Sequence, residues 1–209
     1  MTHDPENAFR VELAAAINAF ALDPLTDKQV GQLVRHYALL RRWNERVNLT
    51  RIIEPGEAAK LHYAESLVGA KFIAGARTVL DIGAGAGFPG IPLAVARPDI
   101  HVTALEANQK KSLFLKEAKD ELELENVEIA TERLEAFDWA CYDLLTSRAL
   151  DRAEEILPTI IEKMRSDQWL MLYCARELVA KLGRRPGWKI ETHSIPDSDA
   201  RLIAIFSSE

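Results

Sequence analysis

The sequence predicts an α/β fold, a seven-stranded sheet of five parallel strands closed by a C-terminal antiparallel hairpin and preceded by a helical lobe. Three observations predict it. Residues 1 to about 70 lack strand-like alternation and carry apolar residues at helical spacing. After Gly75, short apolar runs alternate with amphipathic stretches, the pattern of a parallel sheet with covering helices. The last two apolar runs flank "PDSDA", a turn-rich interval that suits an antiparallel pair.

In the lobe, Phe9, Leu13, Ala16, Ile17 and Phe20 recur three and four residues apart and predict a first helix. Thr26 or Asp27 can cap a second, whose stripe is Val30, Leu33, Val34, Tyr37 and Leu40. "EAAKLHYAESLVGA" predicts a third. "RTVLDI", "HVTALE", "VEIATE", "YDLLTS" and "WLMLYC" read as the five parallel strands, joined by right-handed crossovers. "GIPLAVARP", "QKKSLFLKEAKDELEL" and "RAEEILPTIIEKM" are the intervening helices, with Leu115, Ala118 and Leu122 on the apolar face of the second. "WKIETHSI" and "RLIAIFSS" form the terminal hairpin. The expected organisation is a helical extension over residues 1–70 packed on one compact unit over residues 71–209.

A chain of 209 residues, 48% hydrophobic, can bury one substantial core. No window approaches the roughly eighteen consecutive apolar residues of a membrane span, and the polar start "MTHDPENAFR" is not a targeting peptide. Cys141 and Cys174 are far apart and lack C-x-x-C spacing, which argues against a disulfide framework or zinc site; both read as buried small apolar residues. A cytoplasmic setting is expected. The net charge of −6 is a warning against nucleic-acid binding but does not exclude it, because local patches do the binding. Arg35, Arg41, Arg42, Arg46 and Arg51 face only Glu45 as an acid between them, and Lys181, Arg184, Arg185 and Lys189 form a second basic run.

"DIGAGAGFPG", residues 81–90, contains two glycine registers. From Gly85 it reads G-x-G-x-x-G, a dinucleotide fingerprint; from Asp81 it reads as an acid followed by G-x-G-x-G, a methyl-donor loop. Either cofactor lies at the carboxyl end of the first strand and wants an acid at the end of the second, where Glu106 stands. Asp81 separates them, since a carboxylate there repels a pyrophosphate but suits the cationic amino group of S-adenosylmethionine. Pro89 also removes one amide from an anion-binding nest. A purely structural strand-to-helix turn is the bland alternative, weakened by four glycines between Gly83 and Gly90 framed by Asp81 and Glu106.

"WNERVNLT", "HYAESL", "VLDIGAGAGFPGIPLAVARPD", "KKSLFLKE" and "YDLLTSRA" occur in this order along the chain. In these motifs the sequence closely resembles the bacterial small-subunit ribosomal RNA guanine-N7 methyltransferases, once named glucose-inhibited division protein B, a branch of the class I methyltransferases with their Rossmann-like sheet. The resemblance covers nearly the whole chain. It implies methyl transfer from S-adenosylmethionine to N7 of a guanine in 16S ribosomal RNA, either as RNA, as the 30S subunit or as an assembly intermediate, by a monomer. It implies that Gly83, Gly85 and Phe88 line the methionine side, that Glu106 holds the ribose, that the backbone at Leu134 and Glu135 faces the adenine, and that Arg148 sits beside the donor. Departures are Leu134 for the family's Ala, Glu65 for Asp in His-x-x-Asp-Ser at His62 and Ser66, and Cys174-Ala175 for Lys-Gly. Arg176 is the candidate replacement for that lysine.

Guanine N7 carries a lone pair and no proton, so the expected reaction needs orientation rather than a general base. Neither Asn-Pro-Pro-Tyr nor Asp-Pro-Pro-Tyr, signals of exocyclic amine methylation, occurs. Arg148 either holds the target base or forms a structural ion pair with Asp151 or Glu154. His62 is a candidate for contact with RNA or donor, its competing role being that of a packed helix residue. Arg41, Arg42, Arg46 and Arg51, with Arg176, Arg184 and Arg185, are candidate phosphate contacts or a solvated surface. Trp43 and Asn44 read as structural, and Lys110 and Lys111 as more exposed than catalytic. The rival readings are a nicotinamide-dependent oxidoreductase, a non-catalytic ribosome-assembly factor that binds donor or RNA, and a small-molecule methyltransferase.

Overall fold

The computed structural model describes residues 4–73, 75–148, 153–182 and 187–209. Helix α1 (Pro5–Ala19) starts where the Asp4 side chain accepts the Glu6 amide, and α2 (Asp27–Asn44) starts at a capping box between Thr26 and Gln29. Their predicted stripes are the buried ones: Phe9, Leu13, Ala16 and Ile17 on α1; Leu33, Val34, Tyr37 and Leu40 on α2, with Val30 half-buried.

The predicted third helix is a composite. A turn of α3 (Pro55–Glu57) runs into a π-helical stretch (Ala58–Ala64), then α4 (Glu65–Val68) and a 3-10 turn (Gly69–Phe72). A wide π-helical turn inside a continuous helix often marks a functional site.

The sheet has seven strands: β1 (Thr78–Ile82), β2 (His101–Leu105), β3 (Val127–Ala130), β4 (Leu144–Arg148), β5 (Trp169–Ala175), β6 (Trp188–Ser194) and β7 (Arg201–Ser208). Their order is β3-β2-β1-β4-β5-β7-β6, with β7 antiparallel to both β5 and β6. The chain reverses its direction of travel across the sheet between β1 and β4, and the carboxyl ends of those strands frame a crevice. Helices α5 (Gly90–Ala96), α6 (Gln109–Leu122) and α7 (Ala153–Lys163) follow β1, β2 and β4; α8 (Arg176–Leu182), which the sequence reading did not assign, follows β5.

Alternating strand residues feed two cores. Val79, Val102, Leu144 and Met171 pack with α1, α2, α5 and α6, whereas Leu80, Leu145, Leu170 and Phe206 pack with α7. The lobe and one face of the sheet therefore share a continuous apolar cluster. Of the cysteines, Cys174 is half-buried, its thiol pushed up to about 11 by burial, but Cys141 is exposed, contrary to the expectation, because it lies in the turn before β4.

Candidate active site

A cleft of about 570 Å³ opens at the carboxyl ends of β1, β2 and β4. It brings together Gly83, Gly85, Phe88, Glu106, Leu134, Glu135, Arg148 and His62 from the predicted set, along with Leu49, Thr50 and Lys111. Lys111 is thus nearer the cleft than its sequence position suggested. A neighbouring hollow of about 430 Å³ against α7 shares Leu134, Glu135 and Ile156 but none of the glycine loop.

The loop has φ of +71° at Gly83, +57° at Gly85 and +85° at Gly87, a backbone region costly for other residues. Most of its amides are bonded within the chain. Gly83 and Ala84 donate to the Leu105 carbonyl, Gly87 and Phe88 to that of Ala84, Gly85 to Glu106 Oε2 at 3.0 Å, and Gly90 to Asp81 Oδ2 at 2.9 Å. A pyrophosphate cradle requires such amides free, so the G-x-G-x-x-G register at Gly85 lacks its chemistry.

Asp81 lies under the loop, fully buried, and does not line the cleft. Its Oδ1 has no partner among the described residues, and burial, the largest influence, pushes its carboxyl up to about 7. A Cβ at Gly90 would stand 2.6 Å from Asp81 Oδ2, so glycine lets the helix start seat on the carboxylate. An orphaned buried carboxylate oxygen below a glycine turn suits a cationic group. Glu106, at the end of β2, accepts from Gly85 with one oxygen and from Asn108 with the other at 2.7 Å; it lines the cleft and keeps acceptor capacity beyond these two bonds. Residues 81–106 therefore fit the amino and ribose groups of S-adenosylmethionine.

Phe88 stacks on His62 and meets His36 and Tyr63 edge-on. The His36 Nδ1 pairs with the Tyr63 hydroxyl at 2.8 Å, and the His62 Nε2 with Thr50 Oγ1 at 2.8 Å. Burial first, then each ring's charged or titratable neighbour (His62 beside His36, Arg148 beside His62), lowers both imidazoles to about 3. The sequence reading missed His36; the repeated His-Tyr dipeptide at 36–37 and 62–63 was the available signal. Asn44 explains "WNERVNLT": its side-chain oxygen accepts the amides of Leu49 and Thr50 and its nitrogen donates to the Thr50 carbonyl. That closes the loop and presents both residues to the cleft.

Arg148, at the end of β4, donates to the carbonyls of Leu61 and His62 in the π-helical stretch. Its guanidinium lies 3.7 Å from Glu65, a carboxylate 2% exposed that also receives Arg201 at 2.6 Å. Among the described residues the carboxylate paired with Arg148 is Glu65, where the sequence offered Asp151 or Glu154 as the alternative to a base contact. Asp151 lies outside the described residues, and Glu154 pairs with Lys181 at 2.6 Å.

Comparison with known proteins decides between the readings. The family model for GidB, rRNA small subunit methyltransferase G, matches residues 29–185. The Ribosomal RNA small subunit methyltransferase G of Chromobacterium violaceum is 40% identical over 157 residues, 75% of each chain. That of Neisseria gonorrhoeae strain NCCP11945 is 34% identical over 200 residues, covering 93% of this chain and 96% of the relative.

The chain belongs to this family.

Among solved structures, the O-methyltransferase from Bacillus cereus in complex with SAH aligns with a TM-score of 0.58 at 16% identity, covering 83% of this chain and 91% of that one. An rRNA methylase from Streptococcus thermophilus aligns at 0.52 and 12% identity, covering 68% and 95%. Both match the class I methyltransferase fold.

The candidate RNA-binding arginines divide by their contacts. Arg42 is tied to Glu121 at 2.9 Å and Glu117 at 3.6 Å on α6, and Arg41 lies over the Tyr37 ring. Both have structural partners that the helix pattern did not reveal. Arg46 and Arg51 are exposed, with no ion-pair partner among the described residues. Arg176 donates to the Asp199 carbonyl in the β6–β7 turn and does not line the cleft. Arg184 and Arg185 lie outside the described residues.

Proposed function

We infer that this chain is an S-adenosylmethionine-dependent methyltransferase acting on 16S ribosomal RNA, and we propose N7 of a guanine as the acceptor atom. S-adenosylmethionine, when bound, supplies a methyl group on a sulfonium, a leaving group that needs no acid. Everything else is positioning by this chain. Glu106 accepts the ribose hydroxyls, the Asp81 carboxylate offsets the amino group, Phe88 and the glycines bound the methionine side, and the backbone at Leu134 and Glu135 bounds the adenine. Arg148, with N–H groups beyond those given to Leu61 and His62, holds the base by hydrogen bonding to guanine O6 or by stacking.

The observation that carries the acceptor assignment is that neither the imidazole lining the described cleft nor the carboxyl beneath its loop is free to act as a base. Of the cleft's carboxylates Glu106, Glu132 and Glu135, the first is engaged by the Gly85 and Asn108 amides. His62, the imidazole lining the cleft, sits at about 3 with Nε2 engaged by Thr50. Asp81, at about 7, is sealed beneath the loop. Such a site suits an acceptor with a lone pair and no proton to remove, which guanine N7 is.

In this reading residues 1–70 are a helical extension on a catalytic unit over residues 71–209. The protein works as a cytoplasmic monomer on RNA, on the 30S subunit or on an assembly intermediate, with Arg46 and Arg51 as the best-placed phosphate contacts. The test is incubation with labelled S-adenosylmethionine and 16S RNA or 30S subunits, followed by mapping of the methylated base. Label at a guanine N7 is expected, and Arg148→Ala should slow transfer by about a hundredfold. Label on an exocyclic amine, or confined to small molecules, overturns the acceptor assignment.

A further inference from the structure

Glu65 lies between two arginines from distant strands. Arg148 reaches it from the end of β4 at 3.7 Å and Arg201 from the start of β7 at 2.6 Å. Its side chain is 2% exposed, against 17% for Arg148 and 43% for Arg201. The helix that carries Glu65 also supplies the Leu61 and His62 carbonyls that Arg148 binds, and it has further anchors. The Tyr173 hydroxyl donates to the Ser66 carbonyl at 2.7 Å, and Lys60 pairs with Asp197 at 2.9 Å. The Arg148 guanidinium thus meets three acceptors from one anchored segment.

We propose that Glu65 is a positioning residue for Arg148, held in register by Arg201. A buried carboxylate between two cations is costly unless its geometry is fixed. Arg201 takes one oxygen and leaves the other directed at Arg148, so the guanidinium has one favoured placement. The two carbonyls orient its plane, and the carboxylate sets how far it extends into the cleft. Register carries the device across the sheet, since Arg201 lies directly opposite Ala175 at the end of β5, two strands from Arg148. Arg201 is therefore a second positioning residue, acting through Glu65 from outside the cleft.

The proposal rests on the role given to Arg148 in methyl transfer, and a double-mutant cycle separates the two. Single-turnover methylation of 30S subunits and S-adenosylhomocysteine affinity are measured for Glu65→Gln, Arg201→Gln, Arg148→Ala and the Glu65→Gln/Arg148→Ala pair. Expected is a fall in methyl-transfer rate on the order of tenfold to a hundredfold for Glu65→Gln. Arg201→Gln, whose side chain is at the surface, should lose less. S-adenosylhomocysteine affinity should stay within about threefold, Glu65→Asp should restore part of the rate, and Glu65→Gln should cost nothing further once Arg148 is absent. Full activity in Arg148→Ala would overturn the role of Arg148 itself. A rate loss in Arg148→Ala but not in Glu65→Gln or Arg201→Gln would overturn the positioning proposal alone, as would additive losses in the pair. If Glu65→Gln does not fold, Arg201→Gln carries the same test.

Discussion

His62 stacks on Phe88 with ring centroids 4.6 Å apart and planes 18° from parallel. The contact joins the π-helical stretch to the glycine loop, and burial keeps the imbedded imidazole neutral. His36, behind the same phenyl ring, is in the same state.

Those two histidines give acid sensitivity a defined sign. Each has a folded value near 3 against about 6.5 when unfolded, so the unfolded chain binds more protons between those limits. Their contribution is complete above about 6.5 and is lost as pH falls toward 3. Asp81 works the other way, its raised carboxyl favouring the fold at low pH and losing that effect as pH rises through about 7. Two histidines against one aspartate leave a net loss on acidification from 6.5. Urea unfolding at pH 7.5 and 5.5 should show it, and His36→Gln should shrink the difference; an unchanged difference would acquit His36.

Asp81 should couple proton release to cofactor binding. A cationic amino group over the loop favours the ionised carboxylate, so below about pH 7 binding must expel a proton. Affinity for S-adenosylhomocysteine, followed calorimetrically, should weaken by up to about tenfold for each pH unit below 7. Asp81→Asn should bind more weakly and with little pH dependence from 5.5 to 7.5. A steep dependence that survives in the variant would assign the proton elsewhere.

Gly87 and Gly31 should respond oppositely to alanine. At Gly87, φ is +85° and a Cβ would fall 2.5 Å from Ile91 Cγ1, so Gly87→Ala combines a disfavoured backbone with overpacking and should cost about 1–3 kcal/mol. At Gly31, inside α2, a Cβ meets nothing within 4 Å, and Gly31→Ala should stabilise by about 0.5–1 kcal/mol. Chemical denaturation at fixed pH measures both.

The arginines should differ in the salt dependence of RNA binding. Arg46→Gln and Arg51→Gln should each flatten the plot of log affinity against log salt by about 0.7–0.9. Arg42→Gln should leave the slope nearly unchanged and lose at most about 1 kcal/mol of stability, because its pairs with Glu117 and Glu121 are largely exposed. Equal slopes in all three variants would remove this face from the interface.

Strand positions and the glycine loop were legible because their determinants are local. A run such as "TVLDI" buries alternate side chains on two faces, and four glycines mark a backbone that must turn sharply. The π-helical stretch was not legible, since seven residues with a wider turn leave no hydrophobic period of their own. Nor were the partners of Arg148. Glu65 and Arg201 are 136 residues apart and meet only because the terminal hairpin returns to the edge of β5. His36 escaped notice because it sits among apolar residues of α2, where a lone imidazole reads as packing. The basic stretch from Arg35 to Arg51 was visible as charge, but its division between Arg42 and Arg46 depends on where α6 puts its glutamates.

The composite helix is joined to the ends of three strands: Leu61 and His62 to Arg148, Ser66 to Tyr173, and Glu65 to Arg201. For anyone building chimeras, this makes residue 70 a poor splice point. A cut there hands the sheet to one parent and the floor of its cleft to another, with the guanidinium of Arg148 facing carbonyls it did not grow up with. The transplantable piece begins earlier, before Pro55, so that the helix travels with the strands it is fastened to.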